Sequence, residues 1–334
     1  MATMDDVARR AGVSVSTVSH VLNGTRKVNE STRERVETAI TEIGYRRNVV
    51  ARSLAAGRTH TVGLSISAFT NPYFGSLVHT IEAMLSEAGL VMFLGDSHDD
   101  VASERRVVDS LLDRQVDGII VAPAAGAERN TIPAITATGT PLVLIDRALD
   151  VACDQVGPEN EESARQLTEH LLGLGHRRIA VVRGIDGISS SVERYAGYER
   201  ALRDRGLEID PDLVLDGASS VDVAEREVLA VMSRSPRPTA VVTMNNSMTI
   251  GSMKALRGLG LSIPGDVALV CYDDFEWSDL FEPRLTASAQ DVVTLGSTAV
   301  DMLLERIGGY TGDPRRVHVP TTFHHRNSCG CTPA

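Results

Sequence analysis

The sequence has few aromatics, little cysteine and no long apolar run. Aromatic residues make up 4% of its 334 positions, with a single tryptophan. No stretch approaches the roughly 18 consecutive apolar residues that a membrane span requires, so no membrane partner is expected. The opening MATMDDVARR has no apolar segment of the kind that directs secretion, which places the chain in the cytoplasm as an expectation. Four cysteines fit a reducing compartment. Cys153 and Cys271 stand in apolar stretches and read as small buried hydrophobes. Cys329 and Cys331 form a C-x-C with only His324 and His325 close by in sequence. A metal site needs more ligands, so this end reads as a reduced structural tail, and neither metal nor cofactor is expected. Catalytic signatures are missing too: there is no G-x-S-x-G, phosphate-binding loop or dinucleotide fingerprint. Asp273 and Asp274 could pose as a carboxylate pair, but neighbours at a strand end normally point apart. An enzyme is not expected.

What is present is an ordinary globular composition, 43% hydrophobic and 23% charged, in a chain too long for one comfortable core. The net charge of −11 is unevenly spread. Residues 1–60 carry ten Lys and Arg against six Asp and Glu, or +4, which leaves −15 on the remainder. A basic head on an acidic body suits phosphate contact at one end and solubility at the other.

The head has the pattern of a helix-turn-helix. Thr3 and Asp6 make a capping-box start, and Met4, Val7, Ala8 and Ala11 follow at helical spacing. Gly12 permits the positive φ of a tight turn, and Ser14 reads as the N-cap of a second helix with Val18, Val21 and Leu22 on one face. Asn29 reads as the N-cap of a third helix, whose Val36, Ala39, Ile40 and Ile43 face inward. In such a unit the second helix enters the major groove of double-stranded DNA. Val15, Ser16 and His20 are then the base-reading candidates: histidine can donate to guanine, and valine can meet a thymine methyl. Thr17 and Ser19 can reach phosphates.

The run TMDDVARRAGVSVSTVSHVLNGTRKVNESTRERVETAITEIGYRRNVVARSLAAGRTHTVGL closely resembles the DNA-binding segment of the lactose/galactose-repressor (LacI/GalR) family, and the resemblance extends over essentially the whole chain. It implies that residues 48–56 form a hinge helix only when two subunits meet on DNA, with Leu54 wedged into the minor groove and Ala51 on the same element. An ordinary linker, with Leu54 packed on the core, is the alternative. The resemblance also implies phosphate or positioning roles for Thr3, Ser14, Thr17, Asn23, Lys27, Asn29, Thr32, Tyr45, Asn48 and Ala51. At His20 the familiar members carry arginine, so the operator half-site is expected to differ at that base pair.

From Thr61 onward short apolar strands alternate with amphipathic helices, which predicts α/β subdomains with parallel sheets. Ligands in such sheets sit beyond the strand C-termini. The loops there carry Tyr73 and Phe74, Asp146, Ser190 before Arg194, Asn245, and Asp273. Together these form a ring of amides, acids and an arginine suited to a hydroxyl-rich ligand. The resemblance to repressor cores, themselves similar to periplasmic sugar-binding proteins, places these residues in an effector cleft. Trp277 could supply a stacking face or simply pack, and Asn246 stands where the family usually has Asp.

The expected division is a helix-turn-helix domain (1–47), a hinge and linker (48–60), and two periplasmic-binding-protein-like subdomains (61–158 with 289–319, and 159–288 with 320–330). The resemblance implies a homodimeric repressor on a pseudo-palindromic operator, controlled by a small polar effector: a sugar or sugar derivative, or a nucleoside or purine. The sequence leaves open whether that effector releases DNA or promotes binding. No leucine-heptad tail follows Ser328, so a tetramer is not expected. A ligand-independent DNA-binding regulator and a cytoplasmic solute-binding protein are the competing readings.

Overall fold

The computed structural model describes residues 2–24, 26–45, 58–280 and 282–331. Two compact units divide between Thr59 and His60. The first holds helices α1 (Met4–Ala11), α2 (Val15–Asn23) and α3 (Glu30–Ile43). Each starts on a side-chain cap and ends on a left-handed glycine, Gly12, Gly24 or Gly44, which satisfies backbone groups the helix leaves open. Val7, Ala8, Ala11, Val18, Val36 and Ala39 form its buried core, with Val21, Ile40 and Tyr45 packed around them. The small residues Ala8 and Ala11 leave room for Val18 to seat between the helices.

The second unit is built on two six-stranded sheets. Strands β1 (Thr61–Ile66), β2 (Val91–Asp96), β3 (Gly118–Val121), β4 (Leu142–Ile145) and β5 (Asp154–Pro158) make the first sheet, with β11 (Arg316–Val319) at its edge. Every pairing in it is parallel. The second contains β6 (Ile179–Arg183), β7 (Val214–Asp216), β8 (Ala240–Thr243), β9 (Ala268–Tyr272) and β10 (Thr286–Gln290), closed by β12 (Thr321–His324). Only the β10–β12 pair in it is antiparallel. Helices α4 (Pro72–Glu87), α5 (Val101–Asp113), α6 (Thr131–Thr138) and α11 (Val292–Ile307) accompany the first sheet. Helices α7 (Glu161–Gly173), α8 (Ser189–Asp204), α9 (Val221–Met232) and α10 (Asn246–Gly258) accompany the second. Central strands such as β3 and β4 are buried along their whole length because helices cover both faces, and their sequences GIIV and LVLI are accordingly unbroken apolar runs.

The chain passes between the sheets three times: after β5, after β10 and after β11. The middle crossing falls at Asp291, which caps α11 by accepting from the Thr294 N–H at 2.9 Å. It lies just beyond Ser288, where the family resemblance implied it, because β10 stays hydrogen-bonded to β12 through Gln290. No helix among the described residues is long and apolar enough to cross a membrane. Cys271 is fully buried, while Cys153 is half-buried against the Leu142–Leu144 side of the first sheet.

Candidate functional site

The headpiece presents its polar residues from the N-terminal turn of α2. Ser14 caps that helix, its Oγ accepting from the Thr17 N–H at 3.2 Å, and the same hydroxyl lies 2.8 Å from both Ser16 Oγ and Thr17 Oγ1. This cluster fixes the entry to α2 and leaves Val15 39% exposed beside an exposed Ser16, while His20 sits half-buried a turn further on. Thr3 donates through N–H and hydroxyl to Asp6 at 2.9 and 2.7 Å, which completes the capping box of α1. The Thr3 contacts, opposed by burial and helped by Arg9, hold the Asp6 carboxyl below its ordinary range. Asn29 Oδ1 accepts from the Ser31 N–H at 3.1 Å and starts α3, with Thr32 half-buried in its first turn and Lys27 exposed before it. Tyr45 packs against the headpiece core, its N–H donating to the Ile40 carbonyl at 3.0 Å. Asn23 closes α2. Asn48, Ala51 and Leu54 lie outside the described residues.

The second unit brings most of the remaining candidates together where strand ends of its two sheets meet. Tyr73 and Phe74 enter from the first turn of α4, behind the Asn71 cap. Asp146 follows β4 and Asp273 follows β9, both in the left-handed region at φ +70° and +74°. That conformation is rare outside glycine and turns each carboxylate off its strand axis into the cleft. Ser190 and Arg194 stand on α8, and Asn245 caps α10 by accepting from the Met248 N–H at 2.9 Å. With Asn71, Arg147, Ser191, Ser219, Met244 and Gln290, these residues line a closed cleft of about 30 Å³.

Arg194 anchors the cleft floor. Its Nε donates to Asn160 Oδ1 at 2.8 Å, its Nη1 donates to the Met244 carbonyl at 2.7 Å, and its guanidinium lies 3.6 Å from the centre of the Tyr272 ring. Opposite it, Asp273 accepts from Gln290 Nε2 at 2.6 Å and from the Asn246 N–H at 3.3 Å. Burial pushes the Asp273 carboxyl up; Arg194 and Gln290 oppose that rise, and nearby Asp146 adds to it. Burial also drives the Tyr73 phenol well above its usual range, reinforced by the charge of Asp146. Arg147 ties the first sheet's side of the cleft together, donating to Asp99 Oδ1 at 2.5 Å and to the Pro123 carbonyl at 3.1 Å. Four buried polar atoms of the lining make no directed hydrogen bond within the protein: Tyr73 Oη, Asp146 Oδ1, Gln290 Oε1 and Arg147 Nε, the last resting 3.4 Å from Asp146 Oδ2. Unpaired buried polar atoms cost on the order of 1–3 kcal/mol each, so their convergence marks a place built for a polar guest.

Trp277 is not part of this lining. It packs on Phe275 with ring centroids 4.7 Å apart and flanks a larger depression of about 660 Å³ that shares Tyr73, Asp273 and Gln290 with the cleft. Asn246 is fully buried behind Asp273, with its own side-chain amide unpaired, so it supports the cleft from outside its lining. The Asp pair separates as strand geometry requires: Asp273 faces the cleft, whereas Asp274 accepts from Arg326 at 2.9 and 2.8 Å. Gln290 and Asn160 escaped the sequence reading. Gln290 ends the run TASAQ, which carries no apolar signal, and Asn160 sits in the acidic, loop-like stretch PENEES.

Residues 3–48 match the family described as bacterial regulatory proteins, lacI family. Residues 59–327 match the periplasmic binding proteins and sugar binding domain of the LacI family. The chain is 34% identical over 310 residues to the HTH-type transcriptional repressor PurR of Aliivibrio fischeri (strain MJ11), covering 92% of each. It is 32% identical over 308 residues to the protein of the same name from Haemophilus influenzae (strain PittEE), covering 92% of this chain and 91% of that one. Among solved structures it superposes on the Lac repressor dimer bound to operator and the anti-inducer ONPF with a TM-score of 0.87 at 29% identity, over 98% of this chain and 99% of that one. A complex of the transcriptional regulator CelR with cellobiose aligns with a TM-score of 0.74 at 32% identity, over 98% and 100% of the two chains.

Proposed function

The chain belongs to the LacI family of DNA-binding transcriptional regulators, and from that premise we propose that it is a repressor that binds a pseudo-palindromic operator as a homodimer under the control of a small polar effector. Val15, Ser16 and His20 read base edges from α2. Thr3, Ser14, Thr17, Asn23, Lys27, Asn29, Thr32, Tyr45 and Asn48 position the headpiece on phosphates. Residues 48–56, with Ala51 and Leu54, form the hinge between head and core. Regulation rather than catalysis fits the site, because Arg194 and Asp273 are held by amides and a backbone carbonyl and neither is paired with a nucleophile.

The observation that carries the effector assignment is the convergence of Tyr73 Oη, Asp146 Oδ1 and Gln290 Oε1, buried and unpaired, beside Arg194 and Asp273. Acceptors, a phenol and a guanidinium in that arrangement suit a ligand rich in hydroxyl or ring N–H groups, a sugar derivative or a purine. At about 30 Å³ the cleft has room for a water molecule or two, far less than a sugar or purine needs. An effector therefore enters only when the two subdomains part, and its contacts bias the open–closed equilibrium. The bond from the Ala148 N–H to Ser189 Oγ, 2.9 Å long, joins the two halves beside the cleft and has to break on opening. The proposed subdomain division is 61–158 with 289–319 and 159–288 with 320–330, its middle boundary lying just before the crossing at Asp291.

The test is a thermal-shift panel of sugars, sugar phosphates, nucleosides and purine bases, followed by calorimetry on any hit. One class should raise the melting temperature and lose its effect in Asp273→Ala and Arg194→Ala. A chain that binds operator DNA but responds to no member of the panel would instead be a ligand-independent regulator.

A further inference from the structure

Well away from the cleft, the C-terminal segment and α7 bring four metal-ligating side chains to one point. The ligand atoms of His170, His325, Cys329 and Cys331 all lie within 4.8 Å of one another. His325 Nε2 is 2.8 Å from Cys331 Sγ, Cys329 Sγ is 3.1 Å from the same sulfur, and His170 Nε2 is 3.5 Å from it. A tetrahedral zinc ion, about 2.3 Å from sulfur and about 2.0 Å from nitrogen, sets its ligand atoms roughly 3.3–3.8 Å apart. The four groups are therefore within a few tenths of an ångström to an ångström of a complete coordination shell.

The scaffold around them is rigid, as a metal site needs. The segment 326–331 follows β12 and is fastened on both sides. Ser328 exchanges backbone bonds with Leu269 and Arg284 at 2.9 and 3.0 Å, and its buried hydroxyl donates to the Leu269 carbonyl at 2.6 Å. Arg326 grips Asp274 through both guanidinium nitrogens. Gly330, at φ +90°, turns the backbone between the two cysteines so that both thiols face the same side. From α7, the His170 ring packs on Phe323 and His325 with centroids 5.3 and 5.1 Å away, which sets its direction. Cys329 is buried and the other three are half-buried, so the cluster is closed without being sealed. His324, the other histidine of this stretch, is exposed and turned toward Asp274, its Nδ1 4.0 Å from that carboxylate, and takes no part.

We propose that His170, His325, Cys329 and Cys331 form a Cys2His2 site for a thiophilic divalent cation, zinc by its chemistry, that fastens the C-terminal segment to α7. Four protein ligands leave no open position, so the ion is structural. It staples the second subdomain beside β12, the sheet edge opposite β7. In sequence, two thiols have only His324 and His325 nearby; the fold replaces His324 with His170, which lies 161 positions before Cys331.

The experiment measures metal on the full-length chain. Protein purified under reducing conditions and passed over a chelating resin should keep one zinc per chain. Exchange with Co2+ should give the intense visible bands of tetrahedral, thiolate-ligated cobalt. Cys331→Ser and His170→Gln should each lose most of that intensity and bind zinc at least tenfold more weakly, while His324→Gln keeps both signals. Circular dichroism of each variant identifies any that fails to fold, and the His170→Gln spectrum then carries the test because that side chain is half-buried. Four results overturn the assignment: no metal retained or taken up by the wild type, a Cys329–Cys331 disulfide in its place, octahedral cobalt spectra, or unchanged cobalt bands in His170→Gln.

Discussion

At the residue scale, His20 and Asp273 are the two side chains whose replacement separates reading DNA from sensing the effector. His20 offers one short ring where an arginine would offer a planar fork, so it reads at most one base edge. His20→Ala should alter preference at one symmetric pair of operator positions and leave the others unchanged, as read on an array of operator variants at fixed salt. Equal weakening on every variant would assign His20 to positioning alone. Asp273 is oriented by Gln290 and the Asn246 amide, and it enters the cleft through a backbone conformation that a strand does not normally allow. Asp273→Asn removes one charged acceptor, a loss of about 1.5–3 kcal/mol, or roughly 10- to 150-fold in effector affinity. Calorimetry with the identified effector measures it; an unchanged affinity would move recognition elsewhere in the lining.

Two features at the scale of single elements hold the scaffold that these residues need. The turn between α1 and α2 depends on Gly12 at φ +66°, where an added Cβ meets only Arg35 at 3.8 Å. The position therefore has space, and the cost of a side chain is conformational. Gly12→Ala should weaken the headpiece by about 1–2 kcal/mol, seen as roughly tenfold faster amide exchange in α1 and α2. Unchanged exchange would show that the turn relaxes freely. The second feature joins β5, α11 and the start of β11. Asp154, with its side chain fully buried, accepts from Arg306 at 2.9 Å, from Arg315 at 2.9 Å and from the Arg315 N–H at 2.8 Å. Burial raises the Asp154 carboxyl, but the two guanidiniums outweigh it and hold the group far below its ordinary range. A depressed folded-state value means that this stabilisation is complete above the usual aspartate range and is lost as pH falls below about 4. Asp154→Ala leaves Arg306 without a carboxylate partner and Arg315 with Glu305 alone, and should cost about 3 kcal/mol near neutral pH. Urea unfolding should show that gap narrowing as the pH is lowered toward 3. A gap independent of pH would mean that the carboxylate contributes packing and not charge.

The same elements show what sequence pattern alone could reach. The head was legible because Ala8, Gly12, Val18 and Val21 each meet a distinct steric demand at fixed spacing, and the central strands of the core were legible because runs such as LVLI are buried on both faces. Strands β5 and β10 were not. DQVGP carries Gly and Pro, and TASAQ is small and polar, so neither has an apolar signal. Both are strands because neighbours pair with them on each side. For the cleft, the strand-end acids and Arg194 stood out in sequence, whereas Gln290 and Asn160 gained meaning only through partners distant in the chain. His170 is the extreme case, an unremarked helix position until the fold sets it beside two thiols.

At the scale of the whole molecule, regulation follows from joining a basic head to an acidic, two-lobed core. Held to DNA through phosphate contacts, the chain should lose operator affinity steeply with salt, about a thousandfold or more between 50 and 200 mM if six or more phosphates are neutralised. A shallow dependence in filter binding would contradict a head that docks mainly by charge. The most direct test of the account is selection of bound duplexes from a random pool by the full-length chain, repeated with the effector found by thermal shift. One palindromic site, two half-sites about a common centre, should be enriched, with recovery changed at least tenfold by the effector. A selected site without two-fold symmetry, or one whose recovery ignores an effector that demonstrably fills the cleft, would contradict it.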